Sequence, residues 1–234
     1  MKTKSNTMEL IFGRLPQPDE RNRQYPILAA MPMQQERNYV WGFKKSVILN
    51  QGQMGCCVGC AFAYELALMP VPVQGITLEK AKQIYFDAQR TDPFPGGEYP
   101  GADPVTSGTS ILAGVKTVKN MGFYNAYYWA ASAYEIALGV ANVGPAVIGI
   151  DWYQGMLKPD KTYRIAPTGY KIGGHAICVR GVNFRKQELL LQNSWGAGWG
   201  AGGCALISFE HIDRLLNQGG DAVFPIRNPE KTAI

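Results

Sequence analysis

The sequence predicts an α+β fold in which a helical lobe precedes a sheet lobe. Capped helix signals cluster between residues 55 and 143, and short apolar or β-branched runs cluster after Pro145. Of the 234 residues, 46% are apolar and only 18% charged, enough to bury a core without covalent staples. Disordered and fibrous classes are excluded on that ground. The 27 glycines and 15 prolines follow no period, so a solenoid is excluded too.

Residues 1 to 44 are polar and punctuated by proline, and the run from Gln17 to Arg23 keeps neither a helical nor a strand period. They read as an extended arm. From Gly55 to Leu68 the chain turns small and apolar before Pro70, the pattern of a buried central helix. Thr77 caps a second helix, to about Arg90, whose buried face is Leu78, Ala81, Ile84, Tyr85 and Ala88. Thr91 to Ser107 reads as loop. Ser110 caps a third helix that aligns Ile111, Val115 and Val118 and stops at Gly122. Ser132 and Glu135 form a capping box for a fourth, running to about Val143. Strands are then expected at Pro145–Ile150, Ala176–Phe184, Glu188–Gln192 and Cys204–Phe209. The helical lobe thus spans about 45–125 and the β lobe about 126–225 of a domain covering 45–234.

Charge and composition narrow the partners. The net charge of +5 comes from dispersed basic residues, so nucleic acid is not an expected partner. No apolar run reaches the roughly 18 residues of a spanning helix, so no membrane partner is expected. Lys2 and Lys4 precede only Leu10, Ile11 and Phe12, too short a core for a signal peptide. Five cysteines, three of them at 56, 57 and 60, make a poor disulfide framework, which suits a cytoplasmic or otherwise reducing compartment.

The chemistry concentrates in three blocks. Asn50-Gln51-Gly52-Gln53-Met54-Gly55-Cys56-Cys57 delivers cysteines to a helix N-terminus, where unpaired N–H groups and the macrodipole favour an anion. Beside a histidine a thiol can fall from about 8.5 toward 3 to 4, and the thiolate is the nucleophile. Gly173-Gly174-His175-Ala176 sets one of only two histidines at a strand start among small neighbours. Gln192-Asn193-Ser194-Trp195-Gly196-Ala197-Gly198-Trp199-Gly200 ends the following strand, so a hairpin can bring the Asn193 carboxamide to the imidazole. Nucleophile, proton shuttle, orienting group and oxyanion donor are then all supplied, by Cys57, His175, Asn193 and Gln51.

These blocks resemble the papain-like C1 cysteine peptidases. Gln51-Gly52 through Cys57 resembles the family's Gln-Gly-x-Cys-Gly-Ser-Cys-Trp signature, and the His-Ala and Asn-Ser-Trp-Gly-x-Gly-Trp-Gly blocks follow in the family's order. His175 and Asn193 lie 118 and 136 residues after Cys57, near the family spacing of about 130–150. The resemblance covers roughly residues 45 to 210. It implies a two-lobed fold, the helical lobe packed on an antiparallel, barrel-like β lobe with the active site between them. It implies a cysteine endopeptidase that cleaves peptide or protein substrates without cofactor or metal. In the roles it implies, Cys57 attacks, His175 moves the proton, Asn193 orients the ring and Gln51 holds the oxyanion. Trp195 covers the Asn193–His175 bond, and Gly108, Ala146 and Ala176 line the substrate pockets.

Departures are informative. Met54, Cys56 and Val58 replace the signature's disulfide cysteine, serine and tryptophan, which resembles a compact bacterial or phage-type branch. Gly108-Thr109-Ser110 and Pro18-Asp19 with Arg21 resemble that branch as well. The family's N-terminal propeptides imply that the arm lies in or near the cleft as an intramolecular inhibitor, the alternative being a plain lead-in strap. Two other functions are weighed: a catalytically inactive papain-fold binding module, and a redox or zinc site at Cys57-Val58-Gly59-Cys60. Cys60, Cys178 and Cys204 read as small core residues, and Cys56 as a cleft neighbour. Trp199 reads equally as a core aromatic or as a shield for the Asn193–His175 bond, and His211 as a surface or helix-cap residue.

Overall fold

The computed structural model describes residues 11–31, 34–94 and 103–234. Leu10 and the lysines of the leader argument lie outside them, as does the middle of the loop expected between Thr91 and Ser107. No helix among the described residues is long and apolar enough to cross a membrane.

Each of the four expected helices forms. Helix α1 (Cys57–Ala67) is buried along its whole length and packs against α2 (Leu78–Gln89), α3 (Ile111–Asn120) and the sheet. Its small residues permit that: a Cβ on Gly59 would come within 2.0 Å of the Ala81 carbonyl oxygen of α2. Ser110 Oγ accepts from the Ala113 N–H at 3.0 Å, so α3 starts where its cap places it. Helix α4 (Ala133–Asn142) starts at Ser132, which accepts from the Glu135 N–H, while Glu135 reaches back to the Ala131 N–H.

The sheet is antiparallel and larger than the sequence reading implies. Its order is β2 (Tyr124–Trp129), β7 (Asp221–Arg227), β3 (Ala146–Tyr153), β4 (Lys171–Asn183), β5 (Glu188–Gln192) and β6 (Cys204–Ser208). β1 (Tyr39–Val40) adds to β4 beyond the reach of β3. Strands β2 and β7 and helix α5 (Phe209–Asn217) are additions to the expected elements. Pro225 sits inside β7 at no cost to the ladder, because β3 pairs only with Asp221–Val223 and leaves that edge open at Pro225.

The arm is less extended than its composition suggests. Two short 3-10 turns, Glu20–Gln24 and Ile27–Ala30, interrupt it, the first capped by Asp19, whose carboxylate also binds Arg21. Ahead of them, residues 11 to 15 run between the lobes and join both: the Arg14 N–H donates to the Gly174 carbonyl and the Leu15 N–H to the Thr109 carbonyl, each at 2.9 Å.

Candidate active site

Cys57 is the first residue of α1, delivered by the turn that begins at Gln51. Opposite it, β3 and β4 pair so that His175 faces Ile150 and Ala176 faces Gly149. Beyond the β4–β5 hairpin, whose last pair is Cys178 with Gln192, Asn193 falls on the same face as His175. The result is a His175 Nε2 to Asn193 Oδ1 hydrogen bond of 2.8 Å between two fully buried side chains. The Ser194 N–H also donates to that Oδ1 at 2.8 Å, which fixes it as an acceptor. Nε2 must then carry the proton, and in the neutral ring Nδ1 is a bare acceptor. Nδ1 has no hydrogen-bond partner among the described residues.

Aromatic rings surround the imidazole. Trp195 lies 5.0 Å from it, centroid to centroid, with the two rings tilted by 37°, and Trp152 meets it edge-on at 4.8 Å. Trp199 packs on both tryptophans and donates its indole N–H to the Leu157 carbonyl, which is core duty. The sequence reading omitted Trp152, although its place in an apolar strand opposite Gly173 was the available signal.

Gln51 is oriented from behind. Its Oε1 accepts from Ser194 Oγ at 2.6 Å and its backbone N–H donates to the Ser194 carbonyl, so Nε2 is left to point into the cleft. There Nε2 donates to the Ile11 carbonyl of the arm and to the Met54 carbonyl, both at 3.0 Å. Ser194 stood inside the third motif block without a role in the sequence reading. Its role depends on Gln51, 143 residues away.

The arm fills the space between these groups. Phe12 sits edge-on to both His175 and Trp195 at 6.0 Å, and a Cβ on Gly173 would clash with it. Gly13 passes Cys57 and Gly55 so closely that a Cβ there would meet the Gly55 carbonyl at 1.7 Å. Its carbonyl accepts from the Thr109 N–H at 2.8 Å. Gly108, at φ +76°, and Gly174 line the same passage: a Cβ on either would strike arm backbone at Gly13 or Arg14. Of the expected pocket residues, Gly108 borders the arm, and Ala176 lies beside Cys57, whose thiol its backbone N–H acts on. Ala146 does neither. It pairs with Val179 in the core at the far end of β3, whereas Gly149, Asp151 and Trp152 of that strand meet the arm or the imidazole.

Burial under the arm sets the charge state. Cys57 and His175 are wholly inaccessible. Desolvation pushes the Cys57 thiol up to about 11, against the pull of the Ala176 and Gly13 N–H groups. Desolvation likewise lowers His175 to about 4, although its bond to Asn193 works in the other direction. Under the arm, desolvation thus favours the neutral thiol and the neutral imidazole over the expected thiolate–imidazolium pair. Cys60 is not a redox partner of Cys57; its sulfur lies 3.8 Å from that of Cys56, one helical turn back. All five cysteines are free. His211 lies in the first turn of α5, away from the cleft, as the sequence suggests.

This architecture recurs in solved proteases. The structure of xylellain, a cysteine protease from Xylella fastidiosa, matches over 97% of this chain and 100% of its own, with a TM-score of 0.64 and 16% identity. The chain has the papain-like fold. Digestive procathepsin L 3 of the Tenebrio molitor larval midgut matches over 86% of this chain and 73% of its own (TM-score 0.57, 15% identity). A Carica candamarcensis cysteine protease in complex with E-64 matches over 78% and 93% (TM-score 0.54, 20% identity). Among curated proteins, an uncharacterized peptidase C1-like protein of Acanthamoeba polyphaga mimivirus is 22% identical over 209 residues, covering 70% of this chain. The chain spans 65% of the length of that relative. No protein-family model matches the papain-like chain.

Proposed function

We propose that this papain-like chain is a cysteine endopeptidase whose N-terminal arm holds the active site closed. The observation that carries the reading is the hydrogen bond from His175 to an Asn193 fixed by Ser194, with the free ring nitrogen left unpartnered in the cleft that also holds Cys57. Once water and substrate replace the arm, the desolvation that keeps both groups neutral is relieved, and the thiol proton passes to His175. The thiolate attacks the peptide carbonyl, while Gln51 Nε2 and the Cys57 N–H stabilise the oxyanion. His175 then protonates the leaving amine and activates the water that releases the acyl group.

The arm's inhibitory role rests on three occupations: the Ile11 carbonyl takes the Gln51 donor, Phe12 covers the imidazole, and Gly13 covers the sulfur. The procathepsin likeness supports the same role. Free thiols on every cysteine support a reducing compartment.

Incubation with an epoxide-type thiol inhibitor and mapping of the adduct by mass spectrometry tests the reading. Modification of Cys57, absent in His175→Ala, is expected. Peptide hydrolysis that persists at full rate in Cys57→Ala overturns it, and a protein that neither labels nor hydrolyses once the arm is loosened is a binding module instead.

A further inference from the structure

Where residues 11 to 15 cross the cleft, the side chain of Arg14 turns down between β3 and β7 and is 3% exposed. Its Nη2 donates to the Gly219 carbonyl at 2.6 Å. Asp221, the first residue of β7, stands 3.4 Å from Nη2, and Asp151 of β3 stands 3.9 Å from Nη1. The space exists because position 149 is glycine: a Cβ there would come within 2.4 Å of Asp221 Oδ1 and 2.8 Å of Arg14 Nε. Those two atoms are buried and make no hydrogen bond. The pocket therefore holds its guanidinium mainly by charge and keeps unused bonding capacity beside Gly149.

Nothing in the arm's own fold requires an arginine at this place. The neighbouring backbone bonds, to Gly174 and Thr109, are made by main-chain groups that any residue supplies. What selects arginine is the pair of carboxylates, and these belong to the walls of the cleft, not to the arm. Lys171 binds Asp151 at 2.8 Å from a half-exposed position, so one carboxylate is partly compensated when the pocket is empty, whereas among the described residues Asp221 has only Arg14 as a cation. An arm displaced by substrate leaves Asp221 with no cation.

From this occupant we infer that the Asp151–Asp221 pocket is a specificity site for a basic side chain, arginine or lysine, of the peptide substrate, with Arg14 as its resident surrogate. The inference rests on the peptidase reading for its use but not for its chemistry, since a pocket that binds arginine does so whether or not Cys57 reacts.

Binding to the full-length Arg14→Ala protein, followed by anisotropy of the labelled peptide Ile-Phe-Gly-Arg-Leu-Pro and its Arg→Leu counterpart, tests it. The arginine peptide is expected to bind at least tenfold more tightly, and Asp221→Asn in the same background is expected to remove that difference. Equal affinities, no binding of either peptide, or a preference untouched by Asp221→Asn each overturn the assignment. Epoxide labelling of Cys57 on the same samples separates the two claims. Arginine-selective binding without labelling sinks the peptidase and keeps the pocket, whereas labelling and hydrolysis with no basic preference keep the peptidase and sink the pocket.

Discussion

Arg14→Ala loosens the arm by a calculable amount. Removing one partner of a buried ion pair costs about 3–5 kcal/mol, because the remaining charge is stranded. Asp221 and Asp151 retain 18% and 13% side-chain exposure, and water can enter the vacated pocket, which places the loss near the lower bound, about 3 kcal/mol. At about 1.4 kcal/mol per decade, the population with an open cleft rises by roughly a hundredfold. Labelling of Cys57 reports that population directly when opening and closing are fast relative to the reaction. At pH 7, with excess epoxide probe and intact-mass detection, the variant should therefore react on the order of a hundred times faster than the unmodified chain. Cys178 and Cys204, remote from the arm in β4 and β6, provide the internal control and should not change. Cys57 labelling at the same rate in both proteins would refute the reasoning, since the ion pair would then contribute nothing to closure.

Other expectations follow from the same geometry. Gln51→Ala should leave a folded enzyme with kcat reduced by roughly 10² or more, measured on an activated sample with a fluorogenic peptide. Arg227→Leu removes the cation that binds Glu65 Oε2 at 3.0 Å inside the core, leaving a carboxylate whose remaining side-chain partner among the described residues is the Tyr124 hydroxyl. Urea unfolding should show a loss of about 3 kcal/mol or more. Acid stability should reveal two opposed groups. His175, lowered from 6.5 to about 4, takes up its proton more readily when unfolded, so its contribution of about 3 kcal/mol is lost as pH falls from 6.5 to 4. Asp221, raised by burial from 3.8 to about 6, favours the folded state as pH falls through that range. Asp221→Asn should thus make stability fall more steeply between pH 6 and 4 in denaturant titrations, and an unchanged slope would contradict the Asp221 assignment.

Short stretches of the chain encode their own local structure. Caps at Thr77, Ser110 and Ser132 set the starts of α2, α3 and α4, because a cap is a contact across three residues. The order of the cysteine, histidine and asparagine blocks was legible for the same reason, each block being a local solution to a chemical need. β2 carried a readable signal in its aromatic run Tyr124–Trp129, and α5 in Ser208 followed by Ile212, Leu215 and Leu216. β7 was masked by Pro225, whose tolerance depends on where β3 stops pairing.

Only the tertiary structure decided the rest. Ser194 orients Gln51 because the turn before α1 meets the end of β5. Arg14 meets Asp221 because the arm returns across a cleft in which Asp151 and Asp221 lie more than a hundred residues away along the chain. The protonation of Cys57 and His175 belongs to this class as well: their residue types permit an ion pair, but the solvent that stabilises separated charge is excluded by a segment no local pattern ties to them. Interactions within a turn of chain are written in the order of residues, whereas dielectric surroundings and long-range charge pairing exist only once distant segments share a surface.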